Sequence, residues 1–148
     1  MARERYHHKP GGAETTVRVR YAETDAQGIV YSSHYLIWFE IARTEWCRQA
    51  GINYRDVESQ GYLLVVTDAR CRYLAPAHYD DEVAIQTWVA RANRRQLQFH
   101  YALRLIGAGT QIATGETTHL WVDRAGKPVT LPSALYRFFE EGAARPAT

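Results

Sequence analysis

Polar and apolar residues alternate from Thr15 to Tyr21, with Val17, Val19 and Tyr21 in phase, the period of a strand with one buried face. The pattern then changes. Between Ser33 and Ala50, residues Tyr35, Trp38, Phe39, Ala42 and Trp46 recur at helical spacing, and Ile37 and Ile41 widen the stripe, which predicts one long and largely buried helix. Ser32 or Ser33 is placed to cap its start and Gly51 to end it. A short helical turn follows over Tyr54 to Ser59, closed by Gly61. Four later segments, Tyr62 to Leu74, Glu82 to Ala92, Arg95 to Ile106 and Gln111 to Asp123, alternate or carry β-branched and aromatic residues and read as strands. Gly107-Ala108-Gly109 forms the hairpin between the last two. Leu131 to Glu141 reads as a terminal helix with Pro132 at its first position.

A helix apolar on most of its circumference must be covered by a curved sheet. The order of elements therefore predicts an α+β fold, a five-stranded, mostly antiparallel sheet wrapped around one central helix. Residues 1–14 are polar and punctuated by Pro10-Gly11-Gly12, and read as a flexible arm; the folded domain is expected over 15–141, with a tail over 142–148.

Composition narrows the function classes. Eighteen Lys+Arg against sixteen Asp+Glu leave a formal charge of +2, too small for a molecule built around nucleic acid. No apolar run nears the roughly 20 residues of a membrane span, and no apolar secretory core lies near Met1, so a cytoplasmic location is expected. Cys47 and Cys71 read as ordinary reduced thiols, and the histidines lack metal-ligand spacing, so neither a metal nor an organic cofactor is expected.

The segment YAETDAQGIVYSSHYLIWFE at 21–40, with Tyr21, Asp25, Gly28, Val30, Tyr31, Tyr35 and Phe39 at matching spacing, resembles the 4-hydroxybenzoyl-CoA thioesterase family and its bacterial acyl-CoA thioesterase branch. RYLAPAHYDDEV at 72–83 and THLWVDRAGKPVTLP at 118–132 match as well, so the resemblance spans about Val17 to Glu140. It implies a hotdog fold, hydrolysis of acyl-CoA thioesters and an active site shared between two subunits of a homodimer or homotetramer. It also implies that Asp25 is the catalytic carboxylate, that Gly28 lies beside it, and that the backbone amide of Ser32 polarises the thioester carbonyl. The family usually carries His or Tyr at the Ser32 position, which leaves a side-chain role there open and the amide unaffected.

Residue chemistry fits this reading. Thioester hydrolysis needs a base or nucleophile and a donor for the carbonyl oxygen; a carboxylate beside a helix N-terminus supplies both, since the amides near Tyr31 and Ser32 are expected to be unpaired. By local sequence alone Asp25 reads more readily as a turn residue, because TDAQG is a loop sequence; the whole-domain match reverses that weighing. Glu40, a carboxylate on an apolar helical stretch, ranks second, as a pocket residue or as a partner of Arg43 or Thr44. Tyr31, His34 and Tyr35 are candidates for an acyl slot, with core packing and helix capping as equal alternatives. Arg91, Arg94 and Arg95 cluster at a turn and are candidates for the CoA phosphates, with a solvated hairpin as the competing reading. A protein that binds acyl thioesters without cleaving them is the alternative function, and a hotdog hydratase is a more distant third.

Overall fold

The computed structural model describes residues 12–144; the expected arm up to residue 11 and residues 145–148 of the expected tail lie outside the described residues. Five strands, β1 (Ala13–Arg18), β2 (Leu63–Tyr73), β3 (Glu82–Ala92), β4 (Gln96–Leu105) and β5 (Gln111–Val122), form one sheet in the order β1-β3-β4-β5-β2. All neighbours pair antiparallel. Three helices complete the fold: α1 (His34–Gln49), α2 (Tyr54–Ser59) and α3 (Ser133–Ala143). This is the hotdog arrangement, with α1 lying against the sheet's inner face.

The core is aromatic where helix and sheet meet. Tyr35, Trp38, Phe39, Ala42 and Trp46 of α1 are buried in one cluster with Leu97, Phe99, Tyr101 and Leu103 of β4, and Trp46 meets Phe99 edge-on at 5.4 Å. Phe39 stacks on Tyr101 with ring centroids 4.2 Å apart. That approach depends on Gly115 of β5, where an added Cβ would lie 2.2 Å from the Phe39 ring and 2.9 Å from the Arg70 carbonyl. Any side chain there displaces the helix, because packed interiors lack the slack to absorb it. The end of α1 is a Schellman closure: the Ile52 amide donates to Cys47 O at 2.8 Å and the Gly51 amide to Arg48 O at 3.1 Å, with Gly51 at φ 77°.

Several expectations are corrected. The first strand begins at Ala13 and ends at Arg18, so it reaches into the expected arm and stops short of Tyr21. Tyr21 opens a 3₁₀ turn and is 78% exposed, because the chain turns there to bury Glu23 instead. The helix stripe is narrower than the periodicity implies: Ile37 and Ile41, expected to widen it, remain exposed beside Leu36, since one sheet covers only one side of α1. Pro132 is the cap residue rather than the first helical position, because Leu131 is held extended by its amide's 2.7 Å bond to the Arg94 carbonyl. The last helix also runs past Glu141, as Gly142 packs with no side chain against Trp46.

Candidate active site

Between β1 and α1 the chain closes a small loop, and buried Glu23 anchors it. Its carboxylate accepts the Arg20 amide at 2.8 Å and Trp38 Nε1 at 2.9 Å, while its carbonyl accepts the Tyr31 amide at 2.9 Å. A buried carboxylate persists only with such partners. Next, Thr24 bridges Val30, the Asp25 amide donates to Ile29 O at 2.9 Å, and the Gly28 amide returns to Asp25 O at 2.9 Å. Gly28 sits at φ 79°, a conformation other residues rarely adopt. The loop therefore folds Asp25 back beside the residues that lead into α1.

Asp25 is half-buried, and its Oδ1 accepts the Gln27 amide at 2.8 Å. The turn role and the chemical role coexist here, because only one carboxylate oxygen is used; the other has no hydrogen-bond partner among the described residues. The Tyr31 amide is engaged by Glu23, which corrects the expectation that it is unpaired. The amides of Ser32 and Ser33 donate to no acceptor among the described residues, and no side chain caps the helix start. Neither serine hydroxyl acts as the expected cap. These amides carry the partial positive charge of a sixteen-residue helix.

The other candidates divide. Tyr31 is exposed beside this loop, and His34 is half-buried with its Nδ1 buried and unpaired among the described residues. Tyr35 is 2% exposed and packed 5.0 Å from both Trp38 and Tyr73; burial above all, then Cys71 and Tyr73, pushes its phenol up to about 12. In this chain it is a neutral core residue. Glu40 is exposed among Leu36, Ile37 and Ile41, on the face of α1 that the sheet leaves open. Burial also raises both thiols, Cys47 up to about 12, so neither is a ready nucleophile. Among the described residues no cluster of His, Cys, Asp and Glu is arranged to hold a metal.

Arg94 and Arg95 line a cavity of about 640 Å³ with Asn93, Gln96, Thr130 and Tyr136, while Arg91 is exposed near the end of β3. The Asp25 loop abuts Ala77 and His78, which precede β3. The eleven residues of β3 span roughly 33 Å at about 3.3 Å per residue, so one chain holds Asp25 and the arginines at opposite ends of the sheet. Arg94 is further committed: its Nε donates to Leu131 O at 2.8 Å and so anchors the lead into α3. Sequence reasoning passed over Glu23 and Tyr73. The one signal for Glu23 was an acid two residues before the loop aspartate, opposite a tryptophan on the helix.

The sequence model of the thioesterase-like superfamily matches residues 19–139. Among curated proteins, the chain is 34% identical over 120 residues to a putative acyl-CoA thioesterase, YneP, of Bacillus subtilis, covering 80% of this chain and 86% of that protein. It is 32% identical over 127 residues to the acyl-CoA thioester hydrolase YbgC of Escherichia coli, covering 84% and 93%. Among solved structures, the DHNA-CoA thioesterase of Staphylococcus aureus superposes with a TM-score of 0.82 at 30% identity, covering 88% of this chain and 87% of that one. Fold and sequence together define a hotdog thioester hydrolase. The chain belongs to the thioesterase-like superfamily.

Proposed function

We propose that this protein hydrolyses acyl-CoA thioesters to a free acid and CoA in the cytoplasm, with Asp25 as base or nucleophile and the Ser32 amide polarising the carbonyl. The observation that carries the reading is the pairing, in one closed loop, of a carboxylate with one oxygen free among the described residues and amides at the start of α1 that find no acceptor among them. As a base, Asp25 takes a proton from water as the hydroxyl adds to the carbonyl carbon; the C–S bond then breaks and the thiolate leaves as CoA. As a nucleophile, its free oxygen displaces the thiolate to give an anhydride, which water hydrolyses. In either route negative charge gathers on the carbonyl oxygen, where the amide stabilises it. Neither route calls for a cofactor. The names of the relatives support acyl-CoA as substrate. Thiol release from a panel of short, long and aromatic acyl-CoAs tests it: binding without thiol release across the panel would establish the non-hydrolytic alternative.

The reading includes assembly. The edge strand β2 exposes Val65 and Val66, and α1 exposes Leu36, Ile37 and Ile41 with Glu40 among them. An unpaired edge and an open apolar helix face are matched by a second copy, giving a homodimer at least, with Glu40 near the acyl pocket. Sedimentation at assay concentration should show a dimer or tetramer, and an active monomer would overturn this part.

In such an assembly the arginine cluster of one chain serves the site of the other. Arg95→Ala should raise KM several-fold with kcat preserved and weaken the salt dependence of binding. Arg94→Ala should chiefly lower Tm, because it frees the Leu131 carbonyl. Parental KM and salt response in Arg95→Ala would return these arginines to the solvated-turn reading.

A further inference from the structure

Resting on the proposed thioester chemistry, the geometry points to Tyr73 as a positioning residue that orients and polarises the Ser32–Ser33 peptide at the start of α1. Tyr73 is the last residue of β2, and its hydroxyl donates to the Ser32 carbonyl at 2.7 Å, across 41 positions of sequence. Its ring stands edge-on to Tyr35, in the first turn of α1, with centroids 5.0 Å apart and planes at 87°. One side chain thus holds both the helix and the peptide before it.

The Ser32 carbonyl and the Ser33 amide belong to one planar trans group. A donor on the carbonyl oxygen fixes that plane and turns the N–H to the opposite side. It also draws electron density toward the oxygen, so the N–H becomes a stronger donor, as in any chain of hydrogen bonds. The preceding peptide is fixed in the same sense, since the His34 amide donates to Tyr31 O at 3.0 Å and leaves the Ser32 amide pointing away. The Ser32 amide, the proposed donor to the thioester carbonyl, and the Ser33 amide after it both lack an acceptor among the described residues, and Tyr73 fixes the peptide that carries the second, a further donor to the same oxygen. The phenol keeps its proton through the neutral range, because partial burial first, then Cys71, raises its pKa.

A purely structural role explains the contact less well. Tyr73 is 49% exposed, so water would satisfy both its hydroxyl and the Ser32 carbonyl if the bond were absent. What water would not supply is a fixed peptide plane, and preorganisation of a donor before charge develops is the larger lever on rate.

Tyr73→Phe keeps the ring and its packing on Tyr35 and removes the donor. With hexanoyl-CoA and benzoyl-CoA as probes, kcat should fall about tenfold, less than the hundredfold or more for loss of a direct oxyanion donor, and KM should stay within about twofold. A second readout is spectroscopic. In an Asp25→Asn background, which holds the thioester uncleaved, Raman difference spectra should show the bound carbonyl stretch returning toward its solution frequency when Tyr73 becomes Phe. Parental kcat in Tyr73→Phe, a rise in KM alone, or an unchanged carbonyl frequency would each overturn the role of Tyr73. If the parent is active and Asp25→Asn is not, such a result leaves the thioesterase reading standing. A parent that frees no thiol from any acyl-CoA of the panel ends both.

Discussion

Asp25→Asn should lower kcat on the order of a hundredfold or more while leaving the fold intact, the typical scale of acid/base participation. The amide keeps an Oδ1 that can still accept from the Gln27 amide, so the turn that shapes the loop survives. What disappears is the negative charge on the oxygen that has no partner among the described residues, and with it both the general-base and the nucleophilic route. Glu40→Gln should act mainly on substrate preference, because the exposed Glu40 lies on α1 away from the closed loop. Ser32→Ala should be mild, since the proposed donor is the backbone amide and the Ser32 side chain makes no cap. The measurement is kcat of the three variants on one good acyl-CoA, with circular dichroism as the folding control. Near-parental kcat in a folded Asp25→Asn would sink the assignment, and a selective collapse in Glu40→Gln would move the chemistry onto the helix.

How far the sequence could be read depended on whether local pattern and tertiary packing agreed. They agreed in β3 and α2, whose observed bounds, Glu82–Ala92 and Tyr54–Ser59, match the alternation and the turn residues. They disagreed at Tyr21, where alternation continued but the backbone turned to satisfy Glu23, a partner fifteen residues from Trp38. Ile37 and Ile41 fit the helical stripe, yet periodicity cannot say how much of a helix one sheet covers. The candidate site divides the same way. Asp25 and Gly28 lie in a contiguous loop whose turn was legible locally, while their proposed role came only from the whole-domain resemblance; the Tyr73 hydroxyl meets Ser32 only through β2 and the long connection before it. Arg94 was visible as a charge, but its bond to Leu131 depends on where the lead into α3 docks.

Acid should destabilise the fold through His119, which is 1% exposed on β5 beneath α1. Its Nε2 lies 2.8 Å from Thr117 Oγ1, which lies 2.6 Å from the Tyr101 hydroxyl, and the Phe99 ring packs edge-on at 5.6 Å. Nδ1 has no partner among the described residues, and the charge of Arg43 lies close. Burial first, then Arg43, lowers the histidine's pKa from 6.5 to about 4, so the folded protein keeps it neutral where the unfolded chain protonates it. The unfolded state therefore binds more protons between these two values, and stability falls as pH drops from 6.5 toward 4. Above 6.5 the contribution is fully present; the full difference is about 3 kcal/mol at roughly 1.4 kcal/mol per unit, a sizeable share of a domain's stability. Carboxylates titrate in the same window, so the parent alone does not isolate the effect. His119→Gln keeps a group able to bond Thr117 but cannot titrate. Urea unfolding of both proteins at pH 7.5 and 4.5, at one protomer concentration because assembly contributes to stability, separates the terms. The parent should lose on the order of 2 kcal/mol more than His119→Gln between the two conditions. Equal losses would mean that His119 is already protonated, or solvated, in the native core.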